Sequence, residues 1–192
     1  MYPKEAAAEI KNALYYASRN DVGKMASAFK AAITAAEESG MHPLSDEVAG
    51  LKIECAQLLL KLQNGELADK AINILEHVLD ESAAGADFFE KEARWEDRSK
   101  VLKRAVLLGY KIGEMYQETG KHAKAEEAMS WSTTALLKEI KRRADGEVQA
   151  GGKDGTWFAD SEISACFESK VPIIMDNFRP LTIFDRARPA IR

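Results

Sequence analysis

The chain has 192 residues, enough for one domain, and its 46% hydrophobic and 30% charged content is that of an ordinary globular protein with a core. Lys+Arg 27 against Asp+Glu 31 gives a net charge of -4, which argues against a general nucleic-acid binder. The two cysteines, Cys55 and Cys166, make neither a disulfide scaffold nor a zinc site, and no apolar run reaches the roughly 18 residues that would span a bilayer.

The chain is rich in alanine and has only 5 prolines, which predicts helix nearly throughout. Pro3 suits a first turn, and a helix is expected over 3–18. Asn20-Asp21 caps a second, over 21–39, that Gly40 stops. Ser45 or Asp46 starts a third, over 46–63, and Asn64-Gly65 turns the chain. A fourth is expected over 66–82, broken by SAAGAD, followed by one long helix over 87–118. Gly120 closes that helix, and a last clear helix covers 121–144. No stretch before residue 155 alternates like a strand.

Short turns imply antiparallel pairs: 3–39, 46–82 and 87–144. The spacing Ile112-Gly113-x2-Tyr116-x3-Gly120-x4-Ala125, continued by Met129 and Ser132, has the form of a tetratricopeptide (TPR) unit. Gly113 would let the two helices approach, Tyr116 fill the space between them, Gly120 close the turn and Ala125 pack tightly. Ala13, Tyr16, Met25, Phe29 and Ala32 take the same positions in the first pair; Leu59 and Ala71 are inward in the second. The expected fold is therefore all-α, antiparallel helix pairs stacked as a TPR-like right-handed superhelix with long helices. A plain helical bundle is the alternative, because the spacing between pairs is irregular.

In such a stack the first helix of each pair lines a concave groove. The frame puts Ile10, Leu14 and Ala17 there, then Ile53, Ala56, Leu60 and Gln63, then Leu107, Tyr110, Glu114 and Gln117. This face is apolar in two units and more polar in the third. It would suit an extended or helical polypeptide segment, or cover by a further helix of the same chain. The groove positions carry no Lys or Arg, so a carboxylate clamp is not expected.

Catalytic chemistry is not visible. His42, His77 and His122 lack partners at metal-binding spacing; Cys55 reads as a core residue; Gly151-Gly152 with Lys153 is not a phosphate loop. No enzyme activity, cofactor or metal is expected. Lys138, Lys141, Arg142 and Arg143, with Lys100, Lys103 and Arg104 on the preceding helix, read as helix-dipole partners and solvated charge, or else as contact with an acidic partner or lipid headgroups. Beyond these, 145–160 reads as a flexible loop, and 161–192 as a capping helix with an extended apolar tail. That tail reads either as a segment lying in the groove of its own or a neighbouring molecule, hence a route to self-association, or as sequence foreign to the domain.

The run FKAAITAAEESGMHPLSDEVAGLKIECAQLL and the later run LGYKIGEMYQETGKHAKAEEAMSWSTTALLKE resemble the fungal TPR adaptor subunit of the mitochondrial inner-membrane i-AAA protease supercomplex. The resemblance covers about residues 3–144 and implies an adaptor in the intermembrane space, held by a transmembrane tether. Its partners would be unfolded or membrane-protein segments and subunits of the AAA protease. On that reading the chain is a soluble fragment beginning after the tether, with Met1 an introduced start. A TPR scaffold joining folded subunits during assembly of a mitochondrial complex is the alternative.

Overall fold

The structure, a computed structural model, describes residues 2–61 and 65–146. They form six helices and, among the described residues, no strand: α1 (Lys4–Ser18), α2 (Val22–Glu38), α3 (Asp46–Lys61), α4 (Gly65–Lys91), α5 (Trp95–Glu118) and α6 (His122–Ala144). The expected loop and tail over 147–192 lie outside the described residues. The chain divides into two compact units, one ending at Glu81 and the other beginning at Ser82, so the division falls within α4.

In the first unit α1 and α2 form an antiparallel pair, and α3 packs on α2. Asp21 starts α2 by accepting from the Lys24 amide with Oδ1 (3.2 Å). Ser45, not Asp46, takes the corresponding place at α3, its Oγ accepting from the Val48 amide (3.2 Å). These caps satisfy donors that the first helical turn leaves open. The core is built from Ala6, Ala32, Ala36, Val48 and Leu51, with Tyr2, Ile10, Ile33, Ala35 and Met41 partly buried against it. Alanine at the contacts brings the helix axes close. Tyr2 ties the start of the chain to α3, its hydroxyl donating to the Glu47 carbonyl (3.3 Å).

The break expected at SAAGAD does not occur. Helix α4 runs through it to Lys91, and α5 starts at Trp95 rather than 87. One glycine costs a helix only about 1 kcal/mol, and three surrounding alanines favour it. Burial of Ala86 and Phe89 one and two turns from Ser82 then holds that part of α4 in place. The chain turns instead at Ala93, an ordinary residue held at φ 55°.

Four turns share one geometry; the one after α2 has Gly40 (φ 93°) and the Met41 amide on the Ala36 carbonyl (3.2 Å), and the other three share more. After α1, α4 and α5 a residue with left-handed φ follows: Asn20 (φ 56°), Ala93 (φ 55°) and Gly120 (φ 73°). Each is closed by an amide reaching back to an aromatic residue's carbonyl: Asp21 to Tyr16 (3.0 Å), Arg94 to Phe89 (2.8 Å) and Lys121 to Tyr116 (2.8 Å). This is a Schellman closure. Ahead of the aromatic stands a buried small residue, Ala13, Ala86 or Gly113. A further small buried residue follows on the next helix: Ala32, Ala105 and Ser132. The same local pattern thus occurs in three helix pairs, α1–α2, α4–α5 and α5–α6, with α5 belonging to two of them.

Candidate binding face and the ion network of the second unit

Helix α1 is thinly covered: of its 15 residues only Ala6 and Ala13 are buried. Leu14 is 43% exposed and Tyr15 50% exposed, large apolar surface that water would be better rid of. The Arg19 guanidinium lies 4.5 Å above the Tyr15 ring. Ala17 is half-buried, as is Ile10, which belongs to the core cluster described above. On α3, Ile53 and Leu60 are half-buried and Ala56 is buried, so Ala56 supports the core and lines no open surface. Gln63 lies outside the described residues.

The corresponding positions on α5 are distributed differently. Gln117 is exposed and Leu107 and Glu114 are half-buried, but Tyr110 is only 2% exposed. Its hydroxyl is hydrogen-bonded to Thr133 Oγ1 on α6 (2.8 Å), and Thr133 also donates to the Met129 carbonyl (2.9 Å). Tyr110 is thus a core residue of the α5–α6 pair rather than a groove position. The physical reason is coverage: 13 of the 24 residues of α5 are buried, because α6 packs on it along its length and the end of α4 bonds to it as well.

The residues expected to carry the packing are all at contacts or turns. Ala13, Phe29, Leu59, Ala71, Tyr116 and Ala125 are buried, and Tyr16 is half-buried beneath Lys24, whose ammonium sits 5.5 Å from the ring centre. A Cβ on Gly113 would stand 2.5 Å from Met129 Cγ and 3.2 Å from the Ala125 carbonyl oxygen, so α5 and α6 approach closely there and an added methyl would need Met129 to move and the carbonyl to give slightly.

The second unit also holds a buried ion network that residue spacing does not reveal. Arg98, 5% exposed, donates from Nη1 to Glu139 Oε1 (2.9 Å); its Nη2 lies 2.8 Å from Glu139 Oε2 as an ion pair, but that buried oxygen accepts no hydrogen bond among the described residues. Glu139 is 1% exposed and also accepts from Arg143 Nε (2.8 Å). The Nε of Arg98 donates to Glu90 Oε2 (2.8 Å), and Arg142 grips both oxygens of Glu90. Arg143 reaches on to Ser99 Oγ (2.8 Å). Glu90 is on α4, Arg98 and Ser99 on α5, and Glu139, Arg142 and Arg143 on α6. The bonds from Arg142, with those from Arg98, hold the Glu90 carboxyl down to about 2. Burial works against ionising Glu139, but Arg98 and Arg143 outweigh it and its carboxyl too is held below the usual range. Spacing alone could not show this, since Arg98 and Glu139 are 41 positions apart.

Arg142 and Arg143, read from sequence as surface charge, are therefore internal partners. Lys138 and Lys141 are exposed, and Lys100 pairs with Glu96 (2.8 Å). Burial pushes the Cys55 thiol up to about 11, far from a nucleophile's range. Among the described residues no group of three His, Cys, Asp or Glu is placed to hold a metal, and no helix is long and apolar enough to cross a membrane.

Among the described residues these features define an all-helical fold whose paired helices repeat one turn geometry. No family model, no curated protein and no solved structure matches the chain.

Proposed function

We propose that this protein is a non-catalytic helical-repeat adaptor that binds polypeptide segments through the apolar side of α1 and α3. The recurrence of one helix-pair pattern at Tyr16, Phe89 and Tyr116 supports the reading most directly. Repeats of this kind stack TPR-like into a right-handed superhelix, and their exposed faces bind other chains. The exposed Leu14 beside half-buried Ala17 supplies apolar surface of the required kind. By resemblance, the bound segments are unfolded or membrane-protein polypeptide, delivered to an AAA protease of the mitochondrial inner membrane from the intermembrane side. The affinity of an unfolded model polypeptide for the wild type and for Leu14→Glu tests this. The variant should bind about tenfold more weakly, the effect of about 1.4 kcal/mol, with unchanged thermal unfolding. Equal affinity overturns the binding face, and failure to co-purify protease subunits from mitochondria overturns the delivery role.

A second reading, a scaffold joining folded subunits of a mitochondrial complex, draws on the exposed Lys138 and Lys141 at the end of α6. Crosslinks from those lysines to folded partners, with none from α1, would favour it.

A further inference from the structure

Around the charged network of the second unit, the buried surfaces of α4, α5 and α6 mix small residues (Ser82, Ala86, Ser99) with large apolar ones (Phe89, Leu102, Leu136). Apolar contacts are non-directional, so a shifted helix can still satisfy many of them. The network has no such tolerance. The guanidinium of Arg98 is a planar fork that donates to Glu139 on α6 from Nη1 and to Glu90 on α4 from Nε, with Nη2 in ion-pair contact with Glu139. A slide of either helix by one turn, about 5.4 Å, breaks these bonds and strands a buried charge.

The protein itself shows that this position can be apolar. Counting from the aromatic residue that closes each turn, Arg98 in the α4–α5 pair falls where Met25 falls in α1–α2 and Ala125 in α5–α6. Both are fully or almost fully buried. An unbranched side chain of nearly the length of arginine is therefore accommodated at the same place in a helix pair of the same pattern. The charge at Arg98 is not a requirement of that packing.

We infer that the Glu90–Arg98–Glu139–Arg142–Arg143 network is a register lock, which selects one alignment of α4, α5 and α6 and adds little to the stability of the unit. This inference is independent of what the protein binds.

The test replaces the central pair together, Arg98→Met with Glu139→Leu, in the full chain. Glu90 keeps Arg142, and Arg143, which loses its pair with Glu139, keeps its bond to Ser99. The expected result is an unfolding midpoint equal to or above that of the wild type. Amide exchange in α4, α5 and α6 should nevertheless be about tenfold faster or more, and their NMR signals broadened by exchange between alignments. Exchange and line widths like those of the wild type overturn the inference. So does loss of the folded state in the double variant, which would make the network a source of stability. Arg98→Lys is the second arm. It keeps a charge but not the fork, and should also exchange faster. Wild-type behaviour of Arg98→Lys overturns the geometric part of the argument.

Discussion

The two units bury different things. In the first, every fully buried side chain among the described residues is apolar, from Ala6 on α1 to Val78 on α4. In the second, Ser82, Arg98, Ser99, Ser132, Thr133 and Glu139 are buried together with the apolar residues. The first unit does have a partly sheltered ion pair, Lys52 with both oxygens of Glu81 (2.8 and 2.7 Å), but it stands at the edge of the core. The difference shows two ways to join helices. An apolar contact is forgiving, because any shape-matched neighbour satisfies it. A buried charge is demanding, because each donor needs its partner at bonding distance.

The sharpest way to break this comparison is to orphan one charge. Glu139→Ala should destabilise the second unit by about 3–5 kcal/mol, since Arg98 would be left buried without its main partner. Lys52→Met at the edge of the first unit should cost about 1 kcal/mol or less. Denaturant unfolding, followed by amide exchange in each unit, measures both. Similar losses would erase the distinction drawn here.

A second comparison concerns the small residue ahead of each turn. Gly113→Ala should cost about 1 kcal/mol net, because the strain of a methyl against the Ala125 carbonyl and the movable Met129 outweighs the roughly 1 kcal/mol of helix propensity that alanine regains. The first unit already has alanine at the matching Ala13, so its helices stand far enough apart for a Cβ. A thermal melt of Gly113→Ala unchanged from the wild type would refute the close approach of α5 and α6.

Acid separates the units in a further way. The Glu90 carboxyl titrates at about 2 when folded, against an ordinary value of 4.5. A depressed folded value contributes stability above the ordinary value, and that stability is lost as pH falls from 4.5 toward 2. Exchange protection of α4–α6 should therefore fall across that window, and Glu90→Gln should flatten the fall. A pH profile identical in wild type and variant would show that Glu90 is not involved.

The smallest expected effect is at the turns. Ala93 holds a left-handed backbone that glycine adopts freely, as Gly120 does at the matching place. Ala93→Gly should stabilise the protein by about 1 kcal/mol or less, once the extra freedom of the unfolded glycine is set against the relieved strain. Asn20→Gly should do less, because asparagine tolerates this conformation. A lower melting temperature in Ala93→Gly would contradict the strained turn.

The readable parts of the sequence were those with local causes. Asp21, Gly40, Ser45 and Gly120 act on the backbone within a few residues, so α1, α2, the start of α3 and α6 lie within about a residue of expectation. The turn at Ala93 was hidden because alanine is the best helix former and Gly85 nearby looked like the stop. Among groove positions, Leu14 is exposed as the repeat frame placed it, whereas Tyr110 is buried. A helical period identifies which residues share a face. It does not show how many neighbours cover that face, and α5 has two.

Composition and spacing alone determined that residues 3–144 are largely helical, where most helices begin and end, and the small and aromatic pairs at Ala13/Tyr16 and Gly113/Tyr116, but not the one at Ala86/Phe89. These follow from propensity, capping and side-chain size, which act over one or two turns of chain. Tertiary structure decided that α4 runs unbroken, that Tyr110 faces Thr133, and that Arg98 finds Glu139. Each depends on residues far apart in sequence sharing a space that water has left, where a hydroxyl or a charge must be matched.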